Sequence, residues 1–170
     1  DNTVTVLLKH IEFGQGVSTG LTTIVAEELD ASWDQMRFEH APADVAKYGN
    51  LAMGGIVQGT GGSTAIANSW QQLRMAGAAA KAMLVQAAAT QWEVDPATIT
   101  VADGVVSSGE QSATFGELAS AAALIAAPAS EALTLKDPST FRLIGKEKAA
   151  DTVPVRADTA AKVDGSAKYA

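Results

Sequence analysis

The chain has 170 residues, and 47% of them are hydrophobic, which is enough for the core of one domain or of one large piece of a bigger protein. A formal net charge of -7 argues against a nucleic-acid groove, because phosphate backbones are held by clustered Lys and Arg. The absence of cysteine excludes disulfides, thiolate metal sites and iron–sulfur ligation within these residues. No apolar run reaches ~18 residues, so we expect no membrane-spanning helix.

The first predicted strand covers Thr3–Ile11, which is rich in β-branched residues. A glycine turn, Glu12–Gly16, follows it, and a helical pattern runs from Ser18 to Asp30. The apolar face of this helix carries Leu21, Ile24, Val25 and Leu29. Gly-x-Gly alone is a weak signal, and the third glycine and downstream acidic residue of a dinucleotide fingerprint are missing. The sequence therefore does not support a Rossmann fold.

A second strand is predicted at Gln35–His40, and a long irregular connection, Ala41–Gln58, follows it. Connections of this length inside a compact domain are usually functional or disordered. We favour a functional role for this one.

A second glycine turn, Gly59–Thr64, runs directly into the longest helical pattern in the chain, Ser63–Trp92. The first turn of a helix has unpaired N–H groups, Ser63 or Thr64 can cap it, and glycines let a ligand approach the backbone closely. The turn is therefore a candidate anion site. The alternative is a tight turn that only precedes a core helix.

The remaining pattern predicts a hairpin around Asp103-Gly104, and then a helix that begins with a Thr114–Glu117 capping box and ends near Ala127. The predicted fold is α/β in the loose (α+β) sense, with a small mixed sheet packed against two main helices and a third, shorter helix. We assign residues 1–145 to part of a larger domain. Residues 146–170 are predicted to be an extended linker to a next domain.

Several polar residues have simple structural interpretations. His10 and His40 are interpreted as solvated or hydrogen-bonded histidines, because neither has a partner at metal-ligand spacing. Glu12 is predicted to accept hydrogen bonds from the backbone of its turn. Adjacent residues on a helix point to different sides, so Glu27 and Glu28 are predicted to be surface or capping charges. We assign no catalytic residue and no metal ligand.

Four motifs together resemble a known family. They are Glu12–Gly16 with Thr19, Ala26–Asp30, Gln58–Thr64 and Lys162–Tyr169. In this order they resemble the large subunit of xanthine dehydrogenase-type molybdenum hydroxylases, in the branch of isoquinoline 1-oxidoreductase β-subunits and related aldehyde dehydrogenases. The resemblance covers essentially the whole chain. Because such subunits are several times longer, it implies a segment of their molybdopterin-binding part.

The resemblance implies a bound molybdopterin cytosine dinucleotide. It places the pterin beside the Gln15 side chain and the backbone of Phe13 and Gly14. It places the phosphates on the second turn, at Thr60, Gly61, Gly62, Ser63 and Thr64. The family often has methionine where this chain has Phe13, which puts a side-chain role there in doubt.

In such enzymes a molybdenum centre hydroxylates a carbon of an aldehyde or an N-heterocycle with oxygen from water. The resemblance implies that the catalytic glutamate lies outside this chain, so the fragment itself is expected to be inactive. It also implies an iron–sulfur small subunit and the remaining large-subunit domains as partners. Related complexes are exported and membrane-associated, which is consistent with a location in the periplasm or at the inner membrane. Nothing in these residues shows export, so a cytoplasmic location is the alternative.

A second hypothesis is a stand-alone acidic α/β module that binds a small phosphate ligand or a protein partner. Under the first hypothesis, the fragment would expose apolar surface that normally meets its neighbours. We therefore expect the isolated fragment to self-associate.

Overall fold

The computed structural model describes residues 1–146 and 155–167. The helices and strands in these ranges are β1 Val4–Leu8, α1 Val17–Leu29, β2 Met36–His40, α2 Val45–Tyr48, α3 Ala65–Trp92, β3 Thr100–Ala102, β4 Val105–Ser108, β5 Gln111–Thr114, α4 Phe115–Ala122 and α5 Thr159–Asp164. The structure confirms the predicted α/β class. It also confirms the two predicted main helices, α1 and α3, and the predicted shorter helix, α4. No helix in the described part of the chain combines the length and apolarity needed to cross a bilayer.

The first sheet consists of β1 and β2, which pair in parallel with Val4 opposite Met36 and Leu8 opposite His40. Helix α1 makes the crossover between these strands. Both strands therefore end at the same edge of the sheet, and α1 begins beside that edge.

The second sheet is an antiparallel meander in the order β3-β4-β5. The prediction of one small mixed sheet was therefore wrong, because the strands form one parallel and one antiparallel sheet. Tight turns let β3, β4 and β5 satisfy one another's hydrogen bonds, whereas β1 and β2 pair through a helical crossover. The predicted hairpin is present, but β5 was not predicted.

Helices α1 and α3 pack side by side and run in the same direction. Near their N-termini, a Cβ atom on Gly20 would lie 3.0 Å from Ile66 Cδ1, and further along, Asp30 pairs with Lys81 at 2.5 Å. Gly77 makes the close approach possible, because a Cβ there would lie 2.9 Å from the Val25 carbonyl oxygen. The N-termini of both helices consequently lie at one end of the pair.

The apolar face predicted for α1 is buried: Leu21, Ile24, Val25 and Leu29 all lie in the core. On α3, by contrast, the large apolar side chain of Ile66 is 42% exposed. The Thr114–Glu117 capping box is confirmed, but α4 ends at Ala122 rather than near Ala127. Helix α5 forms within the stretch predicted to be an extended linker, and Lys168 and Tyr169 of the fourth motif lie outside the described residues. Where the domain ends stays a prediction.

Candidate functional site

The first glycine turn, Glu12–Gly16, is organised by the Glu12 carboxylate. Its oxygens accept hydrogen bonds from the N–H groups of Gly14 at 2.8 Å, Gly16 at 2.9 Å and Ser18 at 3.0 Å. Partial burial opposes ionisation, but these three donors outweigh it and lower the pKa of Glu12 below its ordinary value. Glu12 therefore holds the backbone of the turn, as predicted.

The Gln15 amide also bridges the backbone of this turn. Its Oε1 accepts from the Phe13 N–H at 2.8 Å, and its Nε2 donates to the Ile11 carbonyl oxygen at 2.9 Å. An amide oxygen has two lone pairs and an amide nitrogen has two protons, so one acceptor and one donor position remain. Gln15 is exposed, so these positions can be reached from outside the protein. The Phe13 ring is 65% exposed beside it.

In the second glycine turn, Gly59–Thr64, the start of α3 lacks a side-chain cap. Thr64 precedes the helix, but its Oγ1 donates to the Gly61 carbonyl oxygen at 2.8 Å and accepts from Asn50 Nδ2 at 2.8 Å. The predicted cap from Ser63 or Thr64 was therefore wrong. The Thr64 hydroxyl is hydrogen-bonded within the turn and to Asn50, and Ser63 is exposed with its backbone in a left-handed conformation. The N–H groups in the first turn of this 28-residue helix therefore have no side-chain cap.

Thr60 joins the two turns. Its Oγ1 accepts from the Ile11 N–H at 3.0 Å and lies 3.2 Å from His10 Nδ1. His10 is 1% exposed, and its Nε2 lies 2.7 Å from Asn68 Nδ2, so it is hydrogen-bonded as predicted rather than solvated. His40 is exposed. Within residues 1–146 and 155–167, no group of three or more His, Asp or Glu residues is arranged to hold a metal ion.

Arg156 is a site residue that was not predicted from the sequence. Its Nη2 donates to the Gly14 carbonyl oxygen at 2.6 Å and lies 3.5 Å from the Glu12 carboxylate. The neighbouring Ala157 N–H donates to Thr19 Oγ1 at 2.8 Å. These partners are 138 to 142 positions apart in the chain, so no local pattern could have revealed the contact.

At the C-terminal end of α1, the structure contradicts another prediction. Glu27 and Glu28 were predicted to be surface or capping charges, but they are only 1% and 2% exposed. The segment 136–144 covers them. Glu27 accepts from Lys136 Nζ at 2.8 Å and from the backbone N–H groups of Arg142, Leu143 and Ile144. Glu28 pairs with Arg74 Nε at 2.5 Å and accepts from the Lys136 N–H.

Residues 1–161 match the family model described as the molybdopterin cofactor-binding domain. The chain belongs to that family. It is 36% identical to the β-subunit of isoquinoline 1-oxidoreductase of Brevundimonas diminuta, covering 99% of this chain and 25% of the relative. It is 32% identical to a membrane-bound aldehyde dehydrogenase [pyrroloquinoline-quinone] of Gluconacetobacter polyoxogenes, over 99% of this chain and 21% of the relative. A nicotinate dehydrogenase subunit of Pseudomonas putida is 30% identical over 87% of this chain and 12% of its own length.

This molybdopterin cofactor-binding domain thus spans a quarter or less of the length of these relatives. The family resemblance inferred from the four motifs is confirmed. The individual roles of Phe13, Gly14, Gln15, Thr60, Gly61, Gly62, Ser63 and Thr64 stay predictions.

The residues of the two turns fit a ligand of this kind. The start of α3 offers backbone donors, and Gln15 keeps one donor and one acceptor position. Beside the first turn, Ser18 Oγ is buried and is the one buried side-chain oxygen or nitrogen in the described residues that lacks a hydrogen-bond partner. A ligand rich in oxygen and ring nitrogen atoms can use such groups.

Proposed function

We propose that the two glycine turns bind molybdopterin cytosine dinucleotide within the large subunit of a molybdenum hydroxylase that oxidises an aldehyde or an N-heterocycle with water as the oxygen source. The observation that carries the proposal is the uncapped start of α3 beside the Gln15 turn, at the edge where both parallel strands end. Family membership supports the cofactor, and the names of the three relatives support the substrate class.

The two turns divide the binding between them. The spare positions of the Gln15 amide and the backbone of Phe13 and Gly14 suit a flat, polar pterin ring. The N–H groups of Gly61, Gly62 and Ser63, at the positive end of the α3 dipole, suit phosphate oxygens. When bound, the cofactor supplies the molybdenum redox chemistry, while the residues of this chain bind and orient it.

The partners follow from the same proposal. An iron–sulfur small subunit would accept the electrons, and the remaining domains of the large subunit would cover the turns. Large apolar side chains are exposed around them, namely Ile11, Phe13, Leu51, Ile56, Val57 and Ile66. We expect the isolated fragment to self-associate through this surface. Light scattering that shows a monomer at high concentration would contradict this expectation.

The decisive experiment uses the full-length subunit with its partner and compares Gly62→Asp with Gly109→Asp. Both glycines have positive φ angles, 62° and 59°, so the two substitutions bring the same charge and similar backbone strain. Gly109 lies in the turn between β4 and β5, away from both glycine turns. We expect the Gly62→Asp protein to contain little molybdenum and to yield little cytosine nucleotide. The Gly109→Asp protein should keep wild-type amounts of both. Equal molybdenum and nucleotide contents in the two variants would contradict the proposal that the second glycine turn binds the phosphates.

A second comparison tests the pterin contact through Gln15→Ala and Gln58→Ala. The Gln58 amide likewise bridges two backbone groups, the Asp44 N–H at 2.9 Å and the Pro42 carbonyl oxygen at 3.0 Å. Both substitutions therefore remove a loop bridge. We expect only Gln15→Ala to lower the molybdenum content. If both variants lose the cofactor equally, the Gln15 amide acts only by holding its loop in place. The proposed contact between Gln15 and the pterin must then be withdrawn.

A further inference from the structure

We propose that His10 is a positioning residue that directs the hydroxyl proton of Thr60 toward an anionic ligand oxygen, an inference that rests on the proposed function. His10 touches no ligand position itself, because it is buried beneath the turn. It acts through the 3.2 Å contact between its Nδ1 and Thr60 Oγ1.

The orientation of Asn68 determines which ring nitrogen of His10 carries the proton. Asn68 Oδ1 accepts from the Leu51 N–H at 3.0 Å and from Lys9 Nζ at 2.9 Å, so Nδ2 must face His10. His10 Nε2 therefore accepts a hydrogen bond, and a neutral ring must carry its proton on Nδ1. Burial and, next, the positive charge of Lys9 lower the pKa of His10, which keeps the ring neutral at pH 7.

Thr60 Oγ1 consequently accepts two hydrogen bonds, one from the Ile11 N–H at 3.0 Å and one from His10 Nδ1–H at 3.2 Å, a proton that the Gly59 carbonyl also accepts. A hydroxyl oxygen has two lone pairs, and both are now used. Its own proton must point away from these donors, and Thr60 is half-buried at the surface of the turn. Toward the outside of the protein, the hydroxyl can thus act only as a hydrogen-bond donor, to solvent or to a ligand.

The neighbouring Thr64 shows the opposite arrangement. Its hydroxyl proton is taken by the Gly61 carbonyl oxygen at 2.8 Å, so it has none to offer. Among the hydroxyls that hold the second turn together, Thr60 is therefore the one prepared to donate outward. Together with the N–H groups at the start of α3, it selects an acceptor such as a phosphate oxygen.

A double-mutant cycle tests this in the holoenzyme. The variants are Thr60→Val, His10→Leu and the double variant, and the measurement is the rate at which cytosine nucleotide leaves the protein during dialysis. We expect each single variant to speed release about tenfold, the effect of one hydrogen bond to a charged group. The double variant should release nucleotide no faster than either single variant, because both changes remove the same interaction.

Two further variants separate positioning from structural support. His10→Asn places an amide donor near the position of Nδ1 and should restore slow release, whereas the exposed His40→Leu should leave release unchanged. Additive losses in the double variant, or slow release from Thr60→Val, would overturn the proposal. If His10→Leu does not fold, rapid release from a folded His10→Asn variant would overturn it as well. Failure of the proposed function looks different, because Gly62→Asp would then retain as much nucleotide as wild type.

Discussion

The two ends of the α1–α3 pair use polar groups in opposite ways. At the C-terminal end of α1, buried and half-buried carboxylates meet cations and backbone donors. The cluster consists of the buried Glu27, Glu28 and Arg74 and the half-buried Asp30, Lys81 and Lys136. At the N-terminal end, the start of α3 has no side-chain cap and the Gln15 amide keeps spare positions. The first end, the ion-pair cluster, stabilises the fold by internal pairing. The second, the turn end, holds its backbone in place but leaves the start of α3 uncapped and part of the Gln15 amide unused, as the proposed cofactor site requires.

The largest effect should come from removing a carboxylate of the ion-pair cluster. Glu27→Ala leaves the backbone N–H groups of Arg142, Leu143 and Ile144 without their acceptor, whereas Lys136 Nζ keeps Asp30 as a partner. We expect the free energy of unfolding to fall by about 3–5 kcal/mol, because each unsatisfied buried donor is costly. Urea denaturation measures the loss, and the exposed Glu131→Ala serves as the control. Equal stability of the two variants would show that the cluster contributes no stability.

This contribution should also depend on pH. Burial opposes the ionisation of Glu27, but the hydrogen bonds from Lys136 and the backbone lower its pKa below the ordinary value of 4.5. The stabilisation is therefore present above pH 4.5 and is lost as the pH falls through the lower pKa of the folded state. The stability difference between wild type and Glu27→Ala should shrink in acid.

Alanine substitutions of two glycines compare the packing at the two ends. In Gly77→Ala the new Cβ would meet Glu28 Cβ at 2.8 Å and the Val25 carbonyl oxygen at 2.9 Å, so we expect a loss of about 1–3 kcal/mol. In Gly20→Ala the new Cβ meets only the tip of Ile66 at 3.0 Å. Because that side chain can move, the helix propensity of alanine should make this variant neutral or up to about 1 kcal/mol more stable. Thermal unfolding of both variants gives the comparison, and the reverse order would contradict it.

At the turn end, Glu12→Ala removes the acceptor for three backbone N–H groups on a partly exposed loop, and we expect it to cost about 1–2 kcal/mol. Glu12→Ala should clearly reduce nucleotide retention although its cost in stability is small, because the loop that Glu12 organises carries Gln15. Glu39→Ala is the exposed control. If Glu12→Ala retains its nucleotide fully, the turn does not need this carboxylate to bind.

The smallest effect should be the pH dependence due to His10. Burial and the charge of Lys9 lower its pKa, and the hydrogen bond to the Gly59 carbonyl only partly offsets them. As the pH falls below the ordinary value of 6.5, the unfolded chain gains a proton that the folded chain resists, so stability declines. His10→Leu should flatten this slope in urea titrations at several pH values, and the exposed His40→Leu should not. An unchanged slope in His10→Leu would contradict the neutral buried ring.

Local patterns were sufficient for features whose interactions lie close together in the chain. The apolar spacing of Leu21, Ile24, Val25 and Leu29 predicted both α1 and its buried face. The Thr114–Glu117 box and the backbone bonds of Glu12 span only two to six positions, and both predictions were confirmed. The motif order was also sufficient to indicate the family.

Features that depend on distant partners could not be obtained in this way. Glu27 and Glu28 look like surface charges until the segment 136–144, more than 100 positions away, covers them. Arg156 reaches Gly14 across 142 positions, and the parallel pairing of β1 with β2 depends on the crossover helix. The sequence by itself determined the two main helices, the start of α4, the glycine turns and the family, because these follow from neighbouring residues and their order. Only the tertiary structure decided which charges are buried and which donors stay free, because burial and hydrogen-bond satisfaction depend on what packs against each group.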